Sequence, residues 1–297
     1  MLLRTSTTAY LALTTAAVVW GGSVVAQKVA LGAFSPVEVS VFRGLGALMI
    51  LIPLWFWNEQ KTKVTFNDIG VLTLLGIAVL ANHLLVLYGL QHIGAGTAGV
   101  LIGASPAITA FLSSIILQDI PFRRVWIGCL VSFLGVLIVS GVSEDEGLGR
   151  HPLLGGSLIV LSLFSWALFT IGSRRVMERL SSLTVNWTTL LISILLQLPL
   201  LLTHQKVLSG EIDAVPMSGW MALVYVIVFA TALGQQAWLY GVEGVGPSRA
   251  GIFINLIPVS ALVLSFFILS EVINLWDIVG VSCILGGVWL VNRHSSR

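Results

Sequence analysis

The stretch Ile69–Leu90 runs 22 residues with no Asp, Glu, Lys or Arg. About 20 such residues make a helix long enough to cross the hydrocarbon core of a bilayer. The chain holds ten long, predominantly apolar stretches, a few of them with a charged residue. The others are Thr8–Leu31, Val37–Trp57, Gly94–Leu117, Val125–Val142, Leu153–Ser173, Leu183–Thr203, Gly219–Gly241, Pro247–Leu269 and Leu275–Val291. They are too long, and alternate too little, to be barrel strands. The expected fold is therefore all-α, with ten transmembrane helices. Composition agrees: charged residues are 9% of the 297, against roughly 25% in soluble domains. Lipid must cover most of the surface, and a net charge of +2 without a basic run excludes a nucleic-acid partner. Cys129 and Cys283 both lie in apolar stretches without metal-ligand spacing, so neither a metal nor a cofactor is expected.

Lys and Arg fall unevenly about these spans. The amino terminus, the even-numbered connections and the carboxyl terminus hold eleven; the opposite face holds only Arg150 and Lys206. Cytoplasmic loops carry the excess of positive charge, which puts both termini in the cytoplasm and the acidic "SEDEGLGRHP" segment outside. Arg4 before an apolar stretch resembles a signal peptide. The stretch is long, however, and its Trp20 has a counterpart in Trp166, so it is read as a retained span.

A repeat organises the spans. "LYGLQHIGAGTAGVLIGASP" from Leu87 returns 152 positions later as "LYGVEGVGPSRAGIFINLIP" from Leu239. The register pairs Tyr88 with Tyr240, Gly99 with Gly251, Pro106 with Pro258 and Gly135 with Gly287. A slightly shorter offset pairs Trp20 with Trp166, Lys28 with Arg174 and Pro53 with Pro199. Each half then holds five spans, residues 1–143 and 153–292, joined by 144–152. Five is odd, so the second half enters the membrane inverted. Inverted repeats characterise carriers, in which two similar halves exchange conformations around one midplane site.

These residues resemble the drug/metabolite transporter superfamily, specifically its EamA-type branch of ten-span exporters. The resemblance covers essentially the whole chain. It rests on "WGGSVVAQKVALGAFSPVEVSVFRG" and on each half's tyrosine, small-residue helix and proline. It rests also on the closing segments "LQDIPFRRVWIGCLVSFLGVLIV" and "LSEVINLWDIVGVSCILGGVWLV". Asp119 stands where Glu is common, and the sixth span lacks the glycine pair that follows Trp20. The resemblance implies a central cavity bordered by Trp20 and Trp166, whose indole faces can take an aromatic or aliphatic group and attract an ammonium.

Polar residues inside spans are the candidate cargo contacts: Asn82, His83, Gln235, Gln236 and Asn255. Such groups face the bundle interior and either bond helix to helix or line a pathway. Adjacent helical residues point about 100° apart, so Gln235 and Gln236 cannot share one cavity. Ala95, Gly99, Gly103 and Ala107 form a stripe of small residues that serves close packing, a cavity wall, or both. Gly103 belongs among the candidate contacts, and Pro106 and Pro258 are expected hinges, because proline withholds an N–H from the carbonyl four residues back. Arg43 either snorkels or holds an anion in the outer cavity; Lys28 is expected to snorkel, with Glu38 as a pairing partner. None of the thirteen Asp and Glu is mid-span, so proton coupling falls to His83 or is missing.

The combined expectation is a bacterial inner-membrane exporter working by alternating access. Its cargo is a small amphiphilic metabolite, with aromatic or large apolar amino acids first and drugs or nucleobases as the alternative. Facilitated transport suffices, and one monomer suffices for a pathway. No nucleophile, acid–base pair or metal set marks an enzyme.

Overall fold

The computed structural model of the protein describes residues 6–58, 64–116, 151–201, 215–245 and 250–292, with scattered positions between 127 and 138. Most of the expected fifth span, the seam up to Arg150, Asp119 and Pro247 lie outside these residues. Among the described residues there are helices and connections but no strands. In chain order the helices are α1 (Ser6–Ala30), α2 (Pro36–Asn58), α3 (Phe66–Leu90), α4 (Ala95–Ile102) and α5 (Ser105–Ile116). After the seam come α6 (Pro152–Met177), α7 (Ser182–Leu201) and α8 (Met217–Tyr225), which passes into a π-helical segment, Val226–Gly234, and then α9 (Gln235–Val245). A 3₁₀ turn (Ile252–Asn255) leads into α10 (Leu256–Leu269), and α11 (Leu275–Asn292) follows.

Among the described residues, seven helical stretches are long and apolar enough to cross a membrane, and Phe253–Leu269 and Leu275–Gly287 are shorter apolar helices. The radial distribution is that of a chain dissolved in lipid. Met49, Leu74, Phe267 and Val272 are among the large apolar side chains pointing outward. Inward lie Gln27, Arg43, His83, Asn186 and Gln235, all buried. A water-soluble bundle would reverse this order.

Helix contacts obey the exchange of halves expected from the repeat. The first span packs on the eighth as the sixth packs on the third, and the second on the eighth as the seventh on the third. The first also meets the ninth as the sixth meets the fourth. Contacts of second with seventh, and of fourth with ninth, are their own mates. Pro53 lies within α2 and its partner Pro199 within α7. The two halves thus interlock around one pseudo-twofold axis.

Charged groups tie helix ends together on both faces. At one end the Thr65 N–H donates to Asp68 at 2.6 Å, and Arg179 forms an ion pair with Asp68, fastening the start of α3 to the turn after α6. At the other end the amides of Ala95 and Gly96, first residues of α4, each donate at 2.8 Å to the Glu271 carboxylate. A carboxylate suits the positive end of a helix dipole. Beside it the Lys28 ammonium donates to the carbonyls of Leu90 and Ile93 at 2.5 and 2.8 Å. Lys28 therefore closes the carboxyl end of α3 rather than reaching outward, and Glu38 accepts the Ser35 N–H at 2.8 Å to start its own helix.

Candidate functional site

Both mid-span prolines interrupt their helices. The fourth span breaks at Gly103–Ala104, between α4 and α5, just before Pro106. The ninth tightens into the 3₁₀ turn just before Pro258. The carbonyls that lose their usual donor are those of Ile102 and Ile254. Both residues line one cavity in the middle of the bundle, with about 700 Å³ of empty space, its mouth included.

The first span supplies a continuous wall: Trp20, Ser23, Val24 and Gln27, spaced as one face of a helix. Opposite stand Asn82, His83 and Val86 of α3, and Ser162, Leu163 and Trp166 of α6. Arg43 enters from α2, Ser105 from α5, Gln235 from α9 and Ile257 from α10. Both halves contribute, and no acidic residue lines the space among the described residues.

Indoles build one side. The Trp20 and Trp166 rings meet edge to face with centroids 5.3 Å apart, and Trp238 backs both, at 5.4 and 6.1 Å. Trp20 also donates its Nε1–H to the Ala230 carbonyl at 3.0 Å, within the π segment. Ala230 accepts the Gln235 amide as well, a bond spanning five residues instead of four. π-helical geometry is rare and is frequently found at functional sites. Here the turn sets Gln235 into the cavity, only 3% exposed.

Polar groups share the cavity with the indoles. Arg43 is 7% exposed; its Nε–H donates to Thr231 Oγ1 at 3.0 Å and its Nη1 to Gln27 Oε1 at 3.2 Å. Gln27 in turn donates from Nε2 to the Ser23 carbonyl at 3.1 Å. His83 is buried at the wall, and its imidazole makes no hydrogen bond among the described residues. Gln235 Nε2 and Ser105 Oγ are buried without a partner. Asn82 both lines the cavity and donates to the Ser162 carbonyl at 3.0 Å, joining the third and sixth spans.

Trp20, Asn82, His83, Trp166, Gln235 and Arg43 thus come together around one space. Three other sequence candidates lie off it. Gly103 serves packing: a Cβ there would stand 2.6 Å from Pro258 Cγ. Gln236 turns to α7, accepting from Asn186 Nδ2 at 3.1 Å and donating to Ser182 Oγ at 3.3 Å. Asn255 sits in the 3₁₀ turn with its Oδ1 buried and unbonded. Sequence reasoning missed Ser23, Gln27, Ser105 and Trp238. Counting three, four and seven residues on from Trp20 finds Ser23, Val24 and Gln27; nothing comparable points to Trp238.

The model of the EamA-like transporter family matches residues 7–141 and again 153–293, once for each half. The chain is 28% identical over 286 residues to "Uncharacterized transporter YetK" of Bacillus subtilis (strain 168), covering 95% of this chain and 86% of that protein. "Uncharacterized transporter YyaM" of the same organism is 27% identical, at 88% and 86% coverage. An "Uncharacterized transporter" of Archaeoglobus fulgidus is 24% identical, at 92% and 95%. A solved crystal structure at 16% identity covers 98% of this chain and 99% of its own, with a TM-score of 0.70, which shows a shared fold. A bundle that is apolar outside and polar within, built of two matched halves around one cavity, is what such a carrier requires; the chain is a multi-pass membrane transporter and belongs to the EamA-like transporter family.

Proposed function

We propose that this transporter exports amino acids with aromatic or large apolar side chains across the bacterial inner membrane, with both termini in the cytoplasm. The halves 1–143 and 153–292 rock against each other and present the cavity to each side in turn, hinging at Pro106 and Pro258. One observation carries the reading: a single space between the halves joins an indole wall to a polar pole of Arg43, His83 and Gln235. Such a space fits a molecule with one flat or apolar end and one polar end. Facilitated transport, running down the cargo gradient, fits a cavity with no carboxylate among its described lining residues, where His83 is the one described group able to carry a coupled proton.

The test is counterflow of labelled phenylalanine in liposomes holding the purified protein, with leucine, threonine, uracil and a cationic dye as competitors. The reading expects phenylalanine uptake, inhibited by leucine more than by threonine. Movement of uracil or dye without phenylalanine overturns it in favour of nucleobase or drug efflux.

A further inference from the structure

The charge of the cavity is unbalanced. Among the described residues lining it, Arg43 is the only Lys, Arg, Asp or Glu. Its partners there, Gln27 and Thr231, are neutral acceptors. Its Nη2 makes no hydrogen bond among the described residues. A guanidinium is charged at any working pH, and a fixed charge in a medium of low dielectric draws a counter-ion strongly. The remaining unengaged groups point the same way. Gln235 Nε2 is a donor, buried and without a partner, and Ser105 Oγ has a proton to give. Both residues line the same cavity as Arg43, so unspent donors and a positive charge share one space.

We infer that this pole is a carboxylate subsite and that the missing counter-ion is the cargo's own acid group. The inference rests on reading the cavity as the cargo site, and it narrows the cargo class: the acid is obligatory and the amine is dispensable. An ammonium finds no carboxylate among the described lining residues and shares the space with a like charge, which disfavours it. A carboxylate cancels the charge of Arg43 and receives two parallel N–H bonds from one fork. One arginine balances one negative charge; a doubly charged phosphate would leave the cavity with a net charge again, at a high desolvation cost. The favoured cargo is therefore a monocarboxylate with an apolar body, with or without a 2-amino group.

The experiment is calorimetric titration of the full-length protein in lipid nanodiscs with two series of probes. The aromatic series is phenylalanine, 3-phenylpropionate and 2-phenylethylamine; the aliphatic series is leucine, hexanoate and hexylamine. The expected result is that 3-phenylpropionate binds within about threefold of phenylalanine, while 2-phenylethylamine binds at least tenfold more weakly. Arg43→Gln should weaken both acids by roughly 10–100-fold, the worth of a charge-assisted bond. Gln235→Met, which leaves the guanidinium in place, should weaken them by roughly 3–10-fold. Should Arg43→Gln fail to elute as a single species, Arg43→Lys keeps the charge without the fork and is expected to fall between the parent and a complete loss. Aliphatic acids binding in place of aromatic ones, still dependent on Arg43, would remove the aromatic-cargo reading and leave the acid subsite standing. Amines binding as tightly as acids, acids binding the Arg43 variants unchanged, or no acid binding in either series would overturn the subsite.

Discussion

Gln235 and Gln236 are neighbours with the same side chain, and the fold gives them opposite employment. One faces the cavity with its amide nitrogen unbonded; the other ties α9 to α7 through Asn186 and Ser182. Interhelical polar bonds in membranes contribute about 0.6 kcal/mol on average, up to about 1.7. Gln236→Met should therefore lower thermal stability in detergent and leave cargo affinity close to the parent, as measured by melting and by titration. Trp166→Ala should do the reverse. Loss of an aromatic contact of roughly 0.5–1.5 kcal/mol weakens binding about 2–12-fold, with expression little changed. At this scale the sequence was partly readable. Intramembrane polarity singled out both glutamines, and the 100° rule said that they diverge, but only the packed neighbours decide which one turns inward. Gln27 has no counterpart in the repeat and stands beside Lys28 near the end of its span, so only its place on the helical face of Trp20 marks it for the cavity.

Elements divide by whether their cause is local or tertiary. The break at Gly103–Ala104 was foreseeable from Pro106, since the missing N–H is written into the chain. The π segment was not. "VIVFATALG" contains no proline and ends in its only glycine, and its register is fixed by groups from other helices. Trp20 holds the Ala230 carbonyl, and Arg43 holds Thr231, whose hydroxyl reaches back to the Val226 carbonyl at 2.8 Å. Pro106→Ala should restore a straighter fourth span and slow counterflow severalfold while the equilibrium affinity changes little, which separates hinge from contact. Gly103→Leu tests the stripe of small residues. The added side chain collides with the Pro258 ring across the closely packed fourth and ninth spans, so the yield of folded protein should drop sharply. Preserved yield with altered cargo choice would return Gly103 to the cavity wall.

For the molecule as a whole, the interlocking of halves was legible because the repeat runs through glycines and prolines that chance rarely aligns. Orientation in the bilayer follows from the distribution of Lys and Arg and is open to direct test. A phosphatase or fluorescent reporter fused after Arg297 should register as cytoplasmic, and one inserted at Gly147 as periplasmic; the opposite pair of signals would turn the carrier over. The halves match in topology, but the bond from Trp20 to Ala230 has no twin: the related ring, Trp166, makes no such bond to Ala78, and α3 continues through that level as an ordinary helix. In the proposed exchange of shapes this hydrogen bond, worth about 0.5–1.5 kcal/mol, breaks on one side while Trp166 is left to make its counterpart to Ala78 on the other. The two indoles then work as one latch, closed on one half at a time. Trp20→Phe removes only the latch described here and should tip the empty carrier about 2–12-fold toward the opposite posture.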